Sequence, residues 1–306
     1  MKKKILIVGG TGFIGYHLSK RCLLKKWNVF SLSTKPPSNK RKINKIKYLF
    51  CDISNKKDLS NILEGKKFDY VVNLGGNVDH TKKNKVYKSH FLGCKNLAEY
   101  FLNSKIKRFV QVGSSVEYGH TKSPQEETAK TEEKKLQSYY GLAKLMATNL
   151  LIKYHNIFKF PAVVVRLYLV YGPKQDQNRF LPIVINSCLK KESFNCSHGL
   201  QLRDFIYIDD VIDAFLKILA NKSIDGQIIN IGYGSPKKIK EIIKNLKKKL
   251  NGGKPIFGKV KIRKDEIMTL YPSIKKAKKL IDWTPKTNFN LGMKKTIKYF
   301  YKEIRN

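Results

Sequence analysis

The sequence has no apolar run long enough for a membrane helix, which needs about 18 such residues or more. The N-terminal Met1–Lys4 passes straight into a short apolar segment and is not followed by the apolar region of a signal peptide. With 306 residues, of which 42% are hydrophobic, the chain can bury a sizeable core. We therefore expect a soluble, cytoplasmic globular protein without a membrane partner.

Cysteine is scarce, and its spacing shows no pairing pattern. There are five cysteines with neither a CxxC motif nor a histidine-spaced pair: Cys22, Cys51, Cys94, Cys188 and Cys196. Disulfide frameworks and zinc sites require such patterns. We expect reduced thiols in the core and no metal site.

Acidic residues are also few, since 23 of them stand against 62 Lys and Arg for a net charge of +39. Such a charge attracts anionic partners, either nucleic acid or a phosphorylated ligand. The lysines nevertheless run through nearly the whole chain, from Lys40 to Lys249, whereas nucleic-acid sites cluster basic residues along one face. Nucleic-acid binding, as an RNA-binding protein, is therefore the less favoured hypothesis.

Short apolar runs alternate with longer amphipathic segments, as in βαβ units that build a parallel sheet. The predicted strands are Lys4–Val8, Asn28–Ser33, Lys47–Cys51, Tyr70–Leu74, Arg108–Val112 and Ala162–Leu167. The predicted helices between them include Phe13–Lys26, Lys85–Leu102 and Tyr139–Tyr154. The expected fold class is α/β, with a Rossmann doubly wound parallel sheet.

The alternation loosens after Leu167, where proline and glycine punctuate the chain. Further helices are predicted at Phe180–Lys190, Asp209–Ala220, Ile239–Leu250 and Gly292–Glu303. We expect a first domain over residues 1–167 and a smaller C-terminal α/β lobe over residues 168–306, with some segments of the lobe returning to the first domain. No low-complexity linker separates the two, so we expect them to pack together over a cleft.

A glycine-rich run, Gly9–Gly15, stands between the first predicted strand and the first predicted helix. Glycine permits a tight turn there and lets the backbone approach a pyrophosphate, while the helix N-terminus supplies partial positive charge. The first domain is therefore predicted to bind a dinucleotide. The residues expected to contact it are Gly9, Gly12, Phe13, Ile14 and Gly15.

The acidic residue that NAD-binding folds place at the end of the second strand is missing. No Asp or Glu precedes Asp52, and the expected position holds Ser33, Thr34 and Lys35. Hydroxyl groups and a lysine suit a 2′-phosphate, which predicts NADP(H), with NAD(H) as the alternative. Asp52 and Ile53 are expected either to contact the adenine or simply to form a turn or helix cap.

Tyr140 and Lys144 are four residues apart, so a helix places both on one face. A nearby cation stabilises a phenolate and lowers the phenol pKa from about 10, which makes it a usable acid or base. Ser114 lies at the carboxyl end of a predicted strand, which is where open parallel sheets bind ligands. Its hydroxyl can donate a hydrogen bond to a substrate carbonyl or alkoxide. These residues form a candidate catalytic site.

Together these motifs resemble the extended short-chain dehydrogenase/reductases, a family of nucleotide-sugar epimerases, dehydratases and reductases. The resemblance spans nearly the whole chain. It implies that Ser114, Tyr140 and Lys144 form the catalytic triad, and that Tyr140 and Lys144 also contact the cofactor. It further implies that Leu74, Gly75 and Gly76 lie beside the cofactor.

The second half adds family-like segments in the expected order: Val170–Pro173, Asn178–Pro182 and Arg203–Val211. By resemblance the C-terminal lobe binds the substrate, a nucleotide-diphosphate sugar, through residues that include Ser115, Arg179, Arg203 and Arg263. Guanidinium groups suit phosphate oxygens. Asp209 and Asp210 are instead expected to cap the following helix.

Within the family the chain is most similar to the sugar 4-keto reductases, such as CDP-abequose and CDP-paratose synthases. This similarity implies transfer of hydride from NADPH to C4 of a 4-keto-6-deoxy sugar, with Tyr140 as the acid; a 4-epimerase is the alternative. Many relatives carry an asparagine directly before Val-Tyr-Gly-Pro, where this chain has Leu169. The dehydratases often carry a glutamate two places after the catalytic Ser or Thr, whereas here Glu117 is three places after Ser114. Dehydratase chemistry is therefore disfavoured. The resemblance also implies a homodimer.

Overall fold

The computed structural model describes residues 2–77, 82–136, 138–262 and 266–305. Its strands are β1 (Lys4–Val8), β2 (Asn28–Ser33), β3 (Lys47–Phe50), β4 (Tyr70–Asn73), β5 (Arg108–Ser114), β6 (Ala162–Leu167), β7 (Leu169–Tyr171), β8 (Ser193–Cys196), β9 (Leu202–Arg203), β10 (Phe205–Tyr207), β11 (Ile228–Ile231), β12 (Lys237–Lys238), β13 (Lys254–Phe257) and β14 (Thr269–Leu270). Its α-helices are α1 (Phe13–Leu24), α2 (Lys56–Leu63), α3 (Lys83–Tyr87), α4 (Gly93–Phe101), α5 (Tyr139–Phe158), α6 (Phe180–Lys190), α7 (Ile208–Ala220), α8 (Ile239–Leu250), α9 (Lys275–Ile281) and α10 (Phe289–Arg305).

The largest sheet has seven parallel strands in the order β11-β6-β5-β4-β1-β2-β3. Its central strands are apolar on both faces, as expected where helices cover a sheet on each side. In β1, Ile5 and Ile7 join one core and Leu6 and Val8 join the other. The predicted Rossmann doubly wound fold is confirmed.

The strand order reverses between β1 and β4, as the two halves of a doubly wound sheet require. Beside this point the carboxyl ends of β1, β4 and β5 open into a crevice, which is where such folds bind ligands. The glycine run and Ser114 lie at these strand ends. The topology therefore gathers residues that are far apart in the sequence at one edge of the sheet.

The chain after residue 167 contributes to the main sheet as well as to smaller ones. β11 pairs with β6 at the edge of the main sheet, and α7 packs against α1. In the described part of the chain the short strands form three further sheets, β10-β7, β12-β9-β14 and β13-β8, and α6 packs against α8. No helix within the described ranges has both the length and the apolar character needed to cross a bilayer.

The predicted helix Lys85–Leu102 is wrong as a single α-helix. It is divided into α3, a π-helical turn over Lys88–Leu92, and α4. π-helical turns are often found at functional sites. Here the turn carries His90, which is 5% exposed and reaches the candidate site.

Candidate active site

A cleft of about 1430 Å³ opens at the carboxyl edge of the main sheet. The predicted site residues that line it are Gly9, Gly12, Phe13, Ile14, Gly15, Ser33, Thr34, Lys35, Asp52, Ile53, Leu74, Gly75, Gly76, Ser114, Ser115, Tyr140, Arg179 and Arg203. Lys144 lies behind the wall of the cleft and is 3% exposed. Arg263 falls outside the described residues.

The glycine turn is closed so tightly that a side chain has no room at Gly15. A Cβ at that position would lie 2.3 Å from the carbonyl oxygen of Gly9, and Gly9 itself has a φ of +75°. Gly12 precedes α1 and provides no side-chain hydrogen bond to its first turn. A helix N-terminus left open to a cleft suits a pyrophosphate, so these residues fit a dinucleotide.

The end of β2 presents hydroxyl groups and a lysine to the cleft. Ser33, Thr34 and Lys35 all line it, and Ser33 Oγ accepts a hydrogen bond from the Thr11 amide at 3.4 Å. Asp52 lines the cleft, and its carboxylate accepts from the Ser54 amide at 2.9 Å, as expected of a turn residue. This end of the cleft can therefore bind either a ribose hydroxyl or a phosphate.

The candidate catalytic groups come from β5 and α5. Ser114 ends β5, and Tyr140 and Lys144 lie one turn apart on α5. Lys144 Nζ donates to the carbonyl oxygen of Val112 at 2.6 Å and lies 5.9 Å from the centre of the Tyr140 ring. The structure thus brings Ser114 and Tyr140 to the lining of the cleft, with Lys144 buried behind it.

The expected lowering of the Tyr140 pKa is wrong in this structure. Burial raises the pKa of Tyr140, and the opposing effects come from its hydrogen bond with Ser114 and from the charge of Arg179. Burial also lowers the pKa of Lys144 to about 8. Desolvation disfavours both charged forms and outweighs the partners. Tyr140 therefore holds its proton at neutral pH, as a general acid must.

His90 is a site residue that the sequence analysis missed. Its ring meets the Tyr140 ring edge to face with centroids 5.0 Å apart, and Nε2 lies 3.1 Å from the carbonyl oxygen of Asn77. A Cβ at Gly76 would lie 1.9 Å from the His90 ring, so this packing requires glycine there. Only the π-helical turn brings His90 to this position, and no helical periodicity signals it.

The two described arginines that were expected to bind the substrate, Arg179 and Arg203, both line the cleft. Arg179 precedes α6, while the guanidinium of Arg203 pairs with Glu266 and also donates to the carbonyl oxygen of Leu202 at 2.9 Å. Glu266 was not predicted, and it lines the cleft beside Arg203. An anion that binds Arg203 would meet the Glu266 carboxylate as well.

Contrary to expectation, Asp209 and Asp210 do not cap the following helix. Asp210 does not cap α7, because it lies within the first turn and its carboxylate accepts from the amides of Lys286 and Thr287 at 3.1 and 2.9 Å. Neither does Asp209, since the N-cap of α7 is Tyr207 and has no side-chain hydrogen bond. Among the described residues no cluster of three or more His, Cys, Asp or Glu could hold a metal ion.

Comparisons with known proteins identify the family of this chain. The model of the NAD dependent epimerase/dehydratase family matches residues 5–232. A putative UDP-glucose 4-epimerase of Methanocaldococcus jannaschii is 30% identical over 308 residues, which cover 96% of this chain and 97% of that protein. CDP-abequose synthase of Salmonella muenchen is 27% identical over 307 residues, which cover 97% of this chain and 98% of that protein.

Among solved structures, the UDP-glucuronic acid 4-epimerase of Bacillus cereus in complex with UDP-glucuronic acid and NAD is similar, with a TM-score of 0.88 and 26% identity. The match covers 98% of this chain and 99% of that one. The family match spans well over half of the chain and confirms the resemblance drawn from the motifs. The chain belongs to the NAD dependent epimerase/dehydratase family, and thus to the enzymes of the extended short-chain dehydrogenase/reductase type.

Proposed function

We propose that this enzyme reduces the C4 keto group of a 4-keto-6-deoxy nucleotide sugar and uses NADPH as the reductant. The end of β2 carries this proposal, because it offers Ser33, Thr34 and Lys35 to the cleft where NAD-binding relatives of this fold need a carboxylate. A reductase exchanges its cofactor at each turnover. The similarity to CDP-abequose synthase supports the same class of substrate.

Tyr140 can supply the proton that the reductive direction requires. Reduction of a ketone creates an alkoxide that must take up a proton, and burial raises the pKa of Tyr140 so that the phenol retains one. In this proposal Ser114 donates a hydrogen bond to the substrate oxygen, and Lys144 adds positive charge behind the wall. When bound, the dinucleotide supplies the hydride.

The nucleotide diphosphate is expected to lie toward Arg179 and Arg203, which the C-terminal half contributes to the lining of the cleft. Guanidinium groups bind phosphate oxygens in pairs of parallel hydrogen bonds. Dehydratase chemistry is further disfavoured, because Glu117 is 0% exposed and is paired with Arg166.

A nucleotide-sugar 4-epimerase is the second candidate. It is favoured by the relatives named as 4-epimerases, one of which was solved with NAD bound, and by a site that can use the same three residues. An epimerase first oxidises its substrate, so it retains the cofactor and needs none added. The two candidates therefore differ in whether cofactor is consumed.

The test is an assay of the purified enzyme with CDP-, GDP-, UDP- and dTDP-linked 4-keto-6-deoxy sugars, in which NADPH or NADH consumption is followed by absorbance. We expect NADPH to be consumed in step with formation of the 4-hydroxy sugar. Conversion of UDP-glucose or UDP-glucuronic acid into its C4 epimer without net cofactor consumption would support the epimerase instead. Salt-resistant retardation of RNA in a gel without any turnover would contradict both.

Cofactor choice gives a sharper test at Ser33. A Ser33→Asp variant is expected to lose kcat/KM for NADPH and gain it for NADH, so that the ratio changes at least about tenfold, or about 1.4 kcal/mol. The new carboxylate repels a 2′-phosphate and accepts from a ribose hydroxyl, while an oxygen remains available to the Thr11 amide.

The control is Lys35→Ala, which removes a positive charge and creates no acceptor. It should lower kcat/KM for NADPH and leave that for NADH unchanged. If the parent enzyme already prefers NADH and neither variant changes the ratio, the assignment of NADPH is wrong.

A further inference from the structure

A fully buried carboxylate lies directly behind the Ser114 turn. Glu117 is 0% exposed, and its Oε1 accepts from the Ser114 amide at 2.7 Å. The space it occupies exists because residue 113 is glycine, since a Cβ on Gly113 would lie 2.4 Å from Glu117 Oε1. Burial of a carboxylate without full pairing is costly, so the partners of the other oxygen matter.

The second oxygen of Glu117 reaches across to two other elements. Oε2 accepts from Thr148 Oγ1 on α5 at 2.8 Å and from Arg166 Nε on β6 at 2.8 Å. Arg166 is 1% exposed and balances the negative charge. One carboxylate therefore joins the Ser114 turn, α5 and β6.

Thr148 is the member of this set that reaches the catalytic groups. It follows Lys144 by four residues and Tyr140 by eight, so all three occupy the same stripe of α5 at successive turns. Glu117 is thus hydrogen-bonded at one end to the turn that carries Ser114 and at the other to the helix face that carries Tyr140 and Lys144.

We propose that Glu117 is a positioning residue that sets the separation between the Ser114 hydroxyl and the Tyr140 phenol. The inference rests on the proposed function, in which both groups act on one substrate oxygen. Glu117 does not itself touch substrate, because it faces away from the cleft. A reaction that depends on two donors at one atom is sensitive to displacements of a fraction of an ångström.

The test uses Thr148, because Thr148→Val keeps the shape of the side chain and the Glu117–Arg166 pair but removes the hydroxyl that binds Glu117. We expect kcat to fall about tenfold with KM for both substrates unchanged. Thr148→Ser, which keeps the hydroxyl, should restore most of the parent kcat. A parent-like kcat in Thr148→Val, or an equal loss in both variants, would overturn the proposal.

Glu117→Gln supplies a second comparison, since it keeps an oxygen for the Ser114 amide but removes the charge that balances Arg166. It should lower kcat at least as far as Thr148→Val does; where this variant fails to fold, the Thr148 pair decides. Crystal structures give a readout that does not need turnover. The distance from Ser114 Oγ to Tyr140 Oη should differ from the parent in Thr148→Val and return in Thr148→Ser.

These readouts separate the two claims. Absence of turnover in the parent on every nucleotide sugar refutes the proposed function, and the structural comparison still tests the positioning. Normal parent turnover with an unchanged kcat and an unchanged Ser114 to Tyr140 distance in Thr148→Val refutes the positioning alone.

Discussion

A Tyr140→Phe variant is expected to turn over at least about 100-fold more slowly than the parent, because a positioned general acid contributes about 10²–10⁴-fold. The change removes only the hydroxyl that bonds with Ser114, and the ring can keep its edge-to-face contact with His90. KM for the cofactor should change much less than kcat, since the glycine turn and the end of β2 are untouched. Steady-state kinetics and a fluorescence titration with NADPH measure the two quantities.

Tyr139, the residue next to Tyr140, provides a matched control. Tyr139 precedes it on α5, is 50% exposed, and its hydroxyl accepts from Lys83 Nζ at 3.1 Å on the outer surface. Tyr139→Phe removes the same atom from the same helix and should have the parent kcat. Equal rates for the parent and Tyr140→Phe would show that Tyr140 is not the proton donor and would remove the basis of the proposed chemistry.

Much of the main sheet could be predicted from local signals. Six of its strands are short apolar runs, and the glycine turn follows the first of them directly. Buried parallel strands and tight turns are specified by residues next to each other in the chain, so a single sequence displays them. The Tyr140 and Lys144 pair is equally local, because a helix turn alone sets its spacing.

The other elements depend on contacts between distant residues, which the sequence does not reveal. β11 reads Ile-Ile-Asn-Ile and resembles many short apolar segments; only its pairing with β6 across the sheet makes it the edge strand. The bounds of α2 are hard to predict because its apolar face is short, with Leu59 and Leu63 as its buried residues. The π-helical turn that carries His90 has no periodic signature of its own.

The electrostatics of the site could be predicted least well from the sequence. The i,i+4 spacing predicts that Lys144 lowers the pKa of Tyr140, but the lysine instead donates to the Val112 carbonyl and burial dominates. Likewise the pairing of Glu117 with Arg166 joins residues 49 positions apart. Desolvation and long-range pairs depend on the folded environment, so they became visible only in the structure.

A substitution of Gly15 in the glycine turn is also expected to have a large effect, on both stability and cofactor binding. The Cβ of a Gly15→Ala variant would lie 2.3 Å from the Gly9 oxygen and 2.6 Å from the Gly10 Cα, and both atoms are backbone. The turn must therefore shift, which is expected to cost about 1–3 kcal/mol in the free energy of unfolding. It should also abolish stabilisation by NADPH, because the shifted turn no longer presents the start of α1 to the cleft.

Gly12→Ala separates the two consequences, since it alters the same turn with a much milder contact. Gly12 has a φ of −78°, and a Cβ at this position would lie 3.2 Å from its nearest neighbour, the Gly9 oxygen. Its free energy of unfolding without cofactor should therefore fall by less than about 1 kcal/mol, the scale of an N-cap change. A methyl group there nevertheless stands where the backbone must approach a pyrophosphate, so NADPH should stabilise this variant much less than the parent. Denaturant unfolding with and without NADPH measures both effects. If both variants keep the parent's stabilisation by NADPH, the dinucleotide does not bind at this turn.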